Sequence, residues 1–180
     1  YQDQGIEFLN QSIFYRALVN TFRGDYDEAL KFFRRHLELG NNSYTWISQM
    51  YLFKNDFEGA IDILNEFEEN LVSLELPAQQ ELNALVNINR AKFLCYAHNQ
   101  LEDESFQHIR FTKEAQINAI NLRKNRIPDN VYNEQIQIAN YVESTNLIWH
   151  DILFGNYDEA KNKLIGYKDE SEKINRPNNM

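Results

Sequence analysis

Cysteine is almost missing from this chain: Cys95 is the only one, so no intrachain disulfide is possible. Three prolines and six glycines in 180 residues are too few for a turn-rich β fold. No apolar run approaches the roughly 20 residues that span a bilayer, and no signal peptide is legible. Positive charge is also short. With 27 acidic against 18 basic residues the net charge is −9, so binding to a phosphate backbone or an anionic membrane is disfavoured. The chemistry-bearing motifs are missing as well: no Gly-rich phosphate loop, no G-x-S-x-G, no H-E-x-x-H and no EF-hand loop.

What is present is apolar and aromatic. Hydrophobic residues make up 43% and charged residues 25%, with 12 Phe and 10 Tyr. These values fit an ordered globular domain built of long helices. One short pattern recurs: Gly24-Asp25-Tyr26-Asp27-Glu28-Ala29, Asn55-Asp56-Phe57-Glu58-Gly59-Ala60 and Gly155-Asn156-Tyr157-Asp158-Glu159-Ala160. Gly or Asn tolerates the left-handed backbone that ends a helix. Asp or Asn is suited to cap the next one, and acids in its first turn complement the helix dipole. The alanine lets two helices approach closely.

The flanks carry 3.6-residue stripes. After the three turns they run Ala29, Leu30, Phe33, Leu37; then Phe57, Ala60, Ile61, Leu64, Phe67, Leu71; then Ala160, Leu164, Tyr167. Before the turns they run Ile13, Phe14, Ala17, Leu18; then Tyr44, Ile47, Ser48, Tyr51; then Val142, Trp149, Ile152, Leu153. Helix, tight turn, helix, repeated, predicts a solenoid. The interval from Ala60 to Ala160 is 100 residues, which leaves room for another unit of two longer helices near 78–98 and 102–125. Its stripe is Leu82, Leu85, Val86, Phe93 and Tyr96, interrupted by Asn89. Its turn, Asn99-Gln100-Leu101-Glu102-Asp103-Glu104, lacks the glycine and the alanine. Pro77 suits a helix start, and Ile127-Pro128-Asp129-Asn130 breaks the chain before a long helix of roughly 130–154.

These residues resemble the tetratricopeptide repeat (TPR) family, whose units run about 34 residues. Tyr44, Ile47, Ser48 and Tyr51 followed by Ala60 and Leu64 carry the resemblance best. Ala17, Ala29 and Phe33 carry it in part, and Ile148 departs from the small residue expected there. The predicted fold is therefore all-α: an α–α superhelix (solenoid) of about four antiparallel, TPR-like hairpins. They fall in one domain, near 6–39, 42–73, 78–125 and 130–174. The segment Asn175-Arg176-Pro177-Asn178-Asn179-Met180 reads as a junction to a further repeat, so the chain is expected to be a fragment of a longer array. An end left open in this way would also offer a surface for a homodimer.

The resemblance implies a non-catalytic scaffold that binds a protein or peptide on the concave face of the solenoid. Positions assigned by family place are Gln11, Phe14, Leu18, Thr21, Thr45, Gln49, Leu52 and Trp149. Phe14, Leu18, Thr45 and Gln49 stand where carboxylate-clamping relatives carry Lys and Asn, so that clamp is not expected. Packing against neighbouring helices is the competing role for Phe14, Leu18 and Leu52, while Trp149 is a candidate anchor. The rival reading is an accessory sensor or regulatory domain of a larger enzyme or regulator, with a small-molecule pocket between the long middle helices.

No enzyme activity, metal or cofactor is expected. Cys95 and His98 share a helical face, but a structural zinc site needs about four ligands, so a buried thiol beside an ordinary histidine is the better reading. Carboxylate runs such as Glu66, Glu68 and Glu69 read as solvated faces. Arg123, Lys124 and Arg126 read as a cluster complementing a helix C-terminus. Arg23-Gly24-Asp25 is turn chemistry, although it spells an adhesion tripeptide. Asn10-Gln11-Ser12 and Asn41-Asn42-Ser43 match glycosylation sequons that matter only in a secreted protein. The lone cysteine leaves the compartment open; a soluble, cytoplasmic protein is slightly favoured, and the start at Tyr1 leaves export after signal removal open.

Overall fold

In the computed structural model, residues 2–175 are described, and all of them lie in helices, turns or short connections. The order is α1 Gln2–Arg23, α2 Tyr26–Glu38, α3 Tyr44–Phe53, α4 Phe57–Leu71, α5 Ala78–His98, α6 Glu102–Asn121, α7 Asp129–Leu153 and α8 Tyr157–Asn175. Short 3₁₀ turns follow α4 at Val72–Leu74 and α6 at Lys124–Arg126. The fold is all-α, and the helices pair consecutively as four hairpins. They divide into two compact units, Tyr1–Glu75 and Leu76–Met180, of two hairpins each. The junction read at the C-terminus lies, beyond Asn175, outside the described residues.

One turn geometry closes all four hairpins. Gly24, Asn55, Gln100 and Gly155 each take a positive φ, of 80°, 57°, 59° and 79°. The amide of the following residue then donates to a carbonyl five residues back: Asp25 to Asn20 at 2.9 Å, Asp56 to Tyr51 at 2.9 Å, Leu101 to Tyr96 at 2.9 Å and Asn156 to Asp151 at 2.7 Å. This satisfies carbonyls that the ending helix leaves free. The third turn therefore keeps the geometry without a glycine, because Gln100 takes the left-handed place. It also keeps the small residue. Ser105 stands where the other turns carry Ala29, Ala60 and Ala160, and all four are buried. The Ser105 hydroxyl donates to the Phe93 carbonyl at 3.2 Å, so the polar atom is matched inside the close contact. Side-chain capping is less uniform than the motif implies. Asp56 Oδ1 accepts from the Gly59 amide at 2.9 Å, whereas Asp25 forms no such bond.

The first unit packs around aromatics. Phe33 and Phe67 are fully buried. The Trp46 ring stacks on Phe33 at 5.5 Å, and Tyr44 stacks on Phe67 at 4.7 Å. Asn70 Nδ2 donates to the Tyr44 hydroxyl at 3.0 Å, which ties α3 to α4 through a polar atom as well as a ring. Burying a ring of this size stabilises by roughly 1.5–3 kcal/mol.

The core of the second unit is Phe93, Ala97 and Ile109, with Leu94, Leu147, Leu153 and Phe154 against it. Asn89, the interruption in the α5 stripe, is buried and satisfied: its Nδ2 donates to the Leu85 carbonyl at 2.8 Å, and its Oδ1 meets His108 Nδ1 at 2.7 Å. Ion pairs join neighbouring helices, Lys113 to Glu143 at 2.6 Å across α6 and α7, and Lys163 to Asp151 at 2.6 Å across α7 and α8. One stripe departs from expectation. Leu164 is 55% exposed, while Ala160 is buried and Tyr167 packs edge-on against Tyr141. In α8 the buried edge therefore runs through Ala160 and Tyr167 and passes Leu164 by.

Candidate functional site

The residues assigned to the concave face fall into two groups by exposure. Gln11, Gln49 and Trp149 are exposed, and Trp149 keeps 54% of its surface. Phe14, Leu18, Thr21, Thr45 and Leu52 are half-buried. Phe14 is drawn into the aromatic cluster, with ring centroids 5.9 Å from Phe33, 5.3 Å from His36 and 5.7 Å from Trp46. Thr21 donates its hydroxyl to the Ala17 carbonyl at 3.0 Å and touches Met50 Sδ at 3.3 Å. Much of the apolar surface on this side of α1 is thus engaged with α2 and α3. Seven of the eight residues lie in the first unit, and Trp149 lies in the second.

The adjacent side of α1 is apolar too. Phe8, Tyr15, Val19 and Phe22 are 75%, 64%, 47% and 86% exposed. They recur at intervals of seven, four and three residues, which places them on one helical face. Phe8, Tyr15 and Val19 border, with Phe32 of α2, a groove of about 520 Å³, and Phe22 extends the same face beyond it. Arg16 and Arg23 line this groove, and among the described residues no acidic one does. Of the predicted residues only Gln11 lines it. The sequence carried this second stripe, but the stripe was masked by the first: α1 is apolar on two sides, so no single face stands out.

In the second unit a smaller concavity of about 450 Å³ opens among α5, α6 and α7. Arg123 lines it and donates from Nη2 to Gln135 Oε1 at 3.1 Å. The sequence placed Arg123 with Lys124 and Arg126 at a helix C-terminus. The structure separates them, because Lys124 sits over the Tyr132 ring at 5.2 Å while Arg123 turns to the concavity.

Titratable groups elsewhere have structural environments. Burial pushes the Cys95 thiol up to about 12, far from a reactive thiolate. His98, on the same helix, is exposed. Burial also holds His36 below its ordinary value, and its Nδ1 meets Ser43 Oγ at 2.7 Å. Among the described residues no three His, Cys, Asp or Glu side chains gather as a metal site, and no helix is long and apolar enough to cross a membrane.

No family model matches the chain, and no curated protein matches it. Among solved structures it is similar to a kinesin light chain-like protein of nearly identical TPR-like repeats from Podosopora anserina. The identity is 13% and the TM-score 0.45, over 93% of this chain and 97% of that one. The all-α repeat character of this chain rests on its own four turns.

Proposed function

We propose that this chain is a non-catalytic protein-interaction scaffold whose partner docks on α1 as an amphipathic helix with an acidic flank. The outer face of α1 carries this reading. An apolar helix face is normally turned to a neighbour, yet Phe8, Tyr15, Val19 and Phe22 face solvent over four turns. Covering Phe8 and Phe22, the most exposed of them, would contribute up to roughly 1.5–3 kcal/mol each. The charge of the partner follows from Arg16 and Arg23, which border the groove unopposed in a chain of net charge −9. Complementary charge then sets orientation and encounter rate. Gln11 joins the contact from the groove edge. Thr45, Gln49 and Leu52 are proposed as further contacts of the first unit, secondary to the α1 face, and Trp149 as a separate contact of the second unit.

Fluorescence anisotropy with two labelled helical peptides tests this. Both present the same leucine stripe, and one carries glutamates where the other carries lysines. The acidic peptide is expected to bind, the basic one to fail, and both Phe22→Glu and Arg16→Glu to abolish binding. Failure of the acidic peptide, or equal binding by Phe22→Glu, would refute the proposal. Light scattering across a concentration series separates a second copy of the chain: a dimer lost in Phe22→Glu would make the chain its own partner and overturn the heterologous reading.

A further inference from the structure

The concavity of the second unit is lined mainly by amides and apolar side chains. Four amides face it, Asn83 and Asn87 on α5, Gln116 on α6 and Gln135 on α7, with Val86 and Ile138 as apolar neighbours. Among the described residues Arg123 is the one charged group in the lining, which holds no carboxylate.

Arg123 is held in place before any ligand arrives. Its amide donates to the Ile120 carbonyl at 3.0 Å, and its own carbonyl accepts from the Arg126 amide at 2.8 Å. The connection that carries it is pinned to α7 by the Tyr132 hydroxyl, which donates to Asn121 Oδ1 at 2.9 Å. Gln135 occupies only the Nη2 corner of the guanidinium. Arg123 Nε is buried without a hydrogen-bond partner, and so is Gln116 Oε1 in the same lining. Buried polar atoms are nearly always satisfied, and here an unmatched donor and an unmatched acceptor belong to two residues of one lining.

We propose that this concavity binds a small organic carboxylate that also carries an N–H or O–H donor. The carboxylate lies along the free edge of the Arg123 guanidinium, whose planar fork matches it in two contacts. The ligand's donor answers Gln116 Oε1, and its apolar body rests on Val86 and Ile138. The volume of about 450 Å³ falls within the range of small-molecule sites. Convergence of three helices at a single connection suits a compact ligand rather than an extended chain. This site lies in the second unit and stands independently of the α1 surface.

The full chain is titrated by NMR with N-acetyl-leucine, N-acetyl-glutamine and 6-hydroxyhexanoate, each beside its neutral amide. Saturable shifts in α5 and α7 and at Arg123 Nε are expected for at least one acid, with about tenfold weaker binding of its amide. Arg123→Gln is expected to lose about as much. Asn87→Asp, an exposed site that places a carboxylate in the concavity, should weaken binding likewise and decides the matter if Arg123→Gln fails to fold. Silence of all three acids overturns the proposal, as does equal binding of acid and amide or indifference to both substitutions. Saturable binding of an acidic peptide here, with the small acids silent, also overturns it.

Discussion

The third hairpin turn offers a sharp test of what holds these hairpins closed. Gln100 sits at φ 59° with its side chain exposed. For an L residue with a Cβ the left-handed conformation costs roughly 1–2 kcal/mol, a cost glycine escapes. Gln100→Gly removes that strain but frees the unfolded chain, which offsets roughly 0.4–1 kcal/mol. The net expectation is a stabilisation of about 0.5–1 kcal/mol. Gly155→Ala is the reciprocal change in the same unit. Its φ is 79° and a Cβ there meets nothing within 4 Å, so any loss comes from the backbone alone. A destabilisation of similar size is expected. Urea unfolding followed by helical circular dichroism reads both as shifts of midpoint at constant slope. If Gln100→Gly destabilises, or Gly155→Ala is neutral, backbone strain does not govern the turn and the equivalence of the four turns is wrong.

Two further outcomes follow from buried titratable groups. Cys95 should resist alkylation in the folded chain and react only after unfolding. Its thiol is raised from 9.0 to about 12, so above pH 9 the unfolded state releases its proton first, and stability should fall as pH climbs between those values; a Cys95→Ala variant with the same alkaline slope would contradict this. His36 is depressed below 6.5, so the unfolded state takes up a proton first on acidification. Stability should fall as pH drops through 6.5, and His36→Phe should flatten that slope; an unchanged slope would show that His36 does not contribute.

The four turns were legible because turn chemistry is local. Glycine or asparagine, then an acid-rich first turn and a small residue, can be read within six positions. Gln100 and Ser105 escaped because each fills its place by geometry instead of identity: glutamine tolerates the left-handed backbone at a cost, and serine is small enough once its hydroxyl reaches the Phe93 carbonyl. Asn89 interrupted a stripe on paper and proved satisfied, because its partner His108 lies one helix away.

The sequence by itself determined the helices, their pairing into hairpins and most of the buried faces, since periodicity and capping act over a few residues. Only the tertiary structure decided which apolar face stays uncovered. Phe14 and Phe22 are equally apolar in sequence, yet one enters the cluster of Phe33 and Trp46 while the other is 86% exposed. Only the tertiary structure turned Arg123 away from Lys124 and toward Gln135. Both outcomes depend on helices distant in sequence, and the free energy of covering a side chain belongs to its neighbours in space.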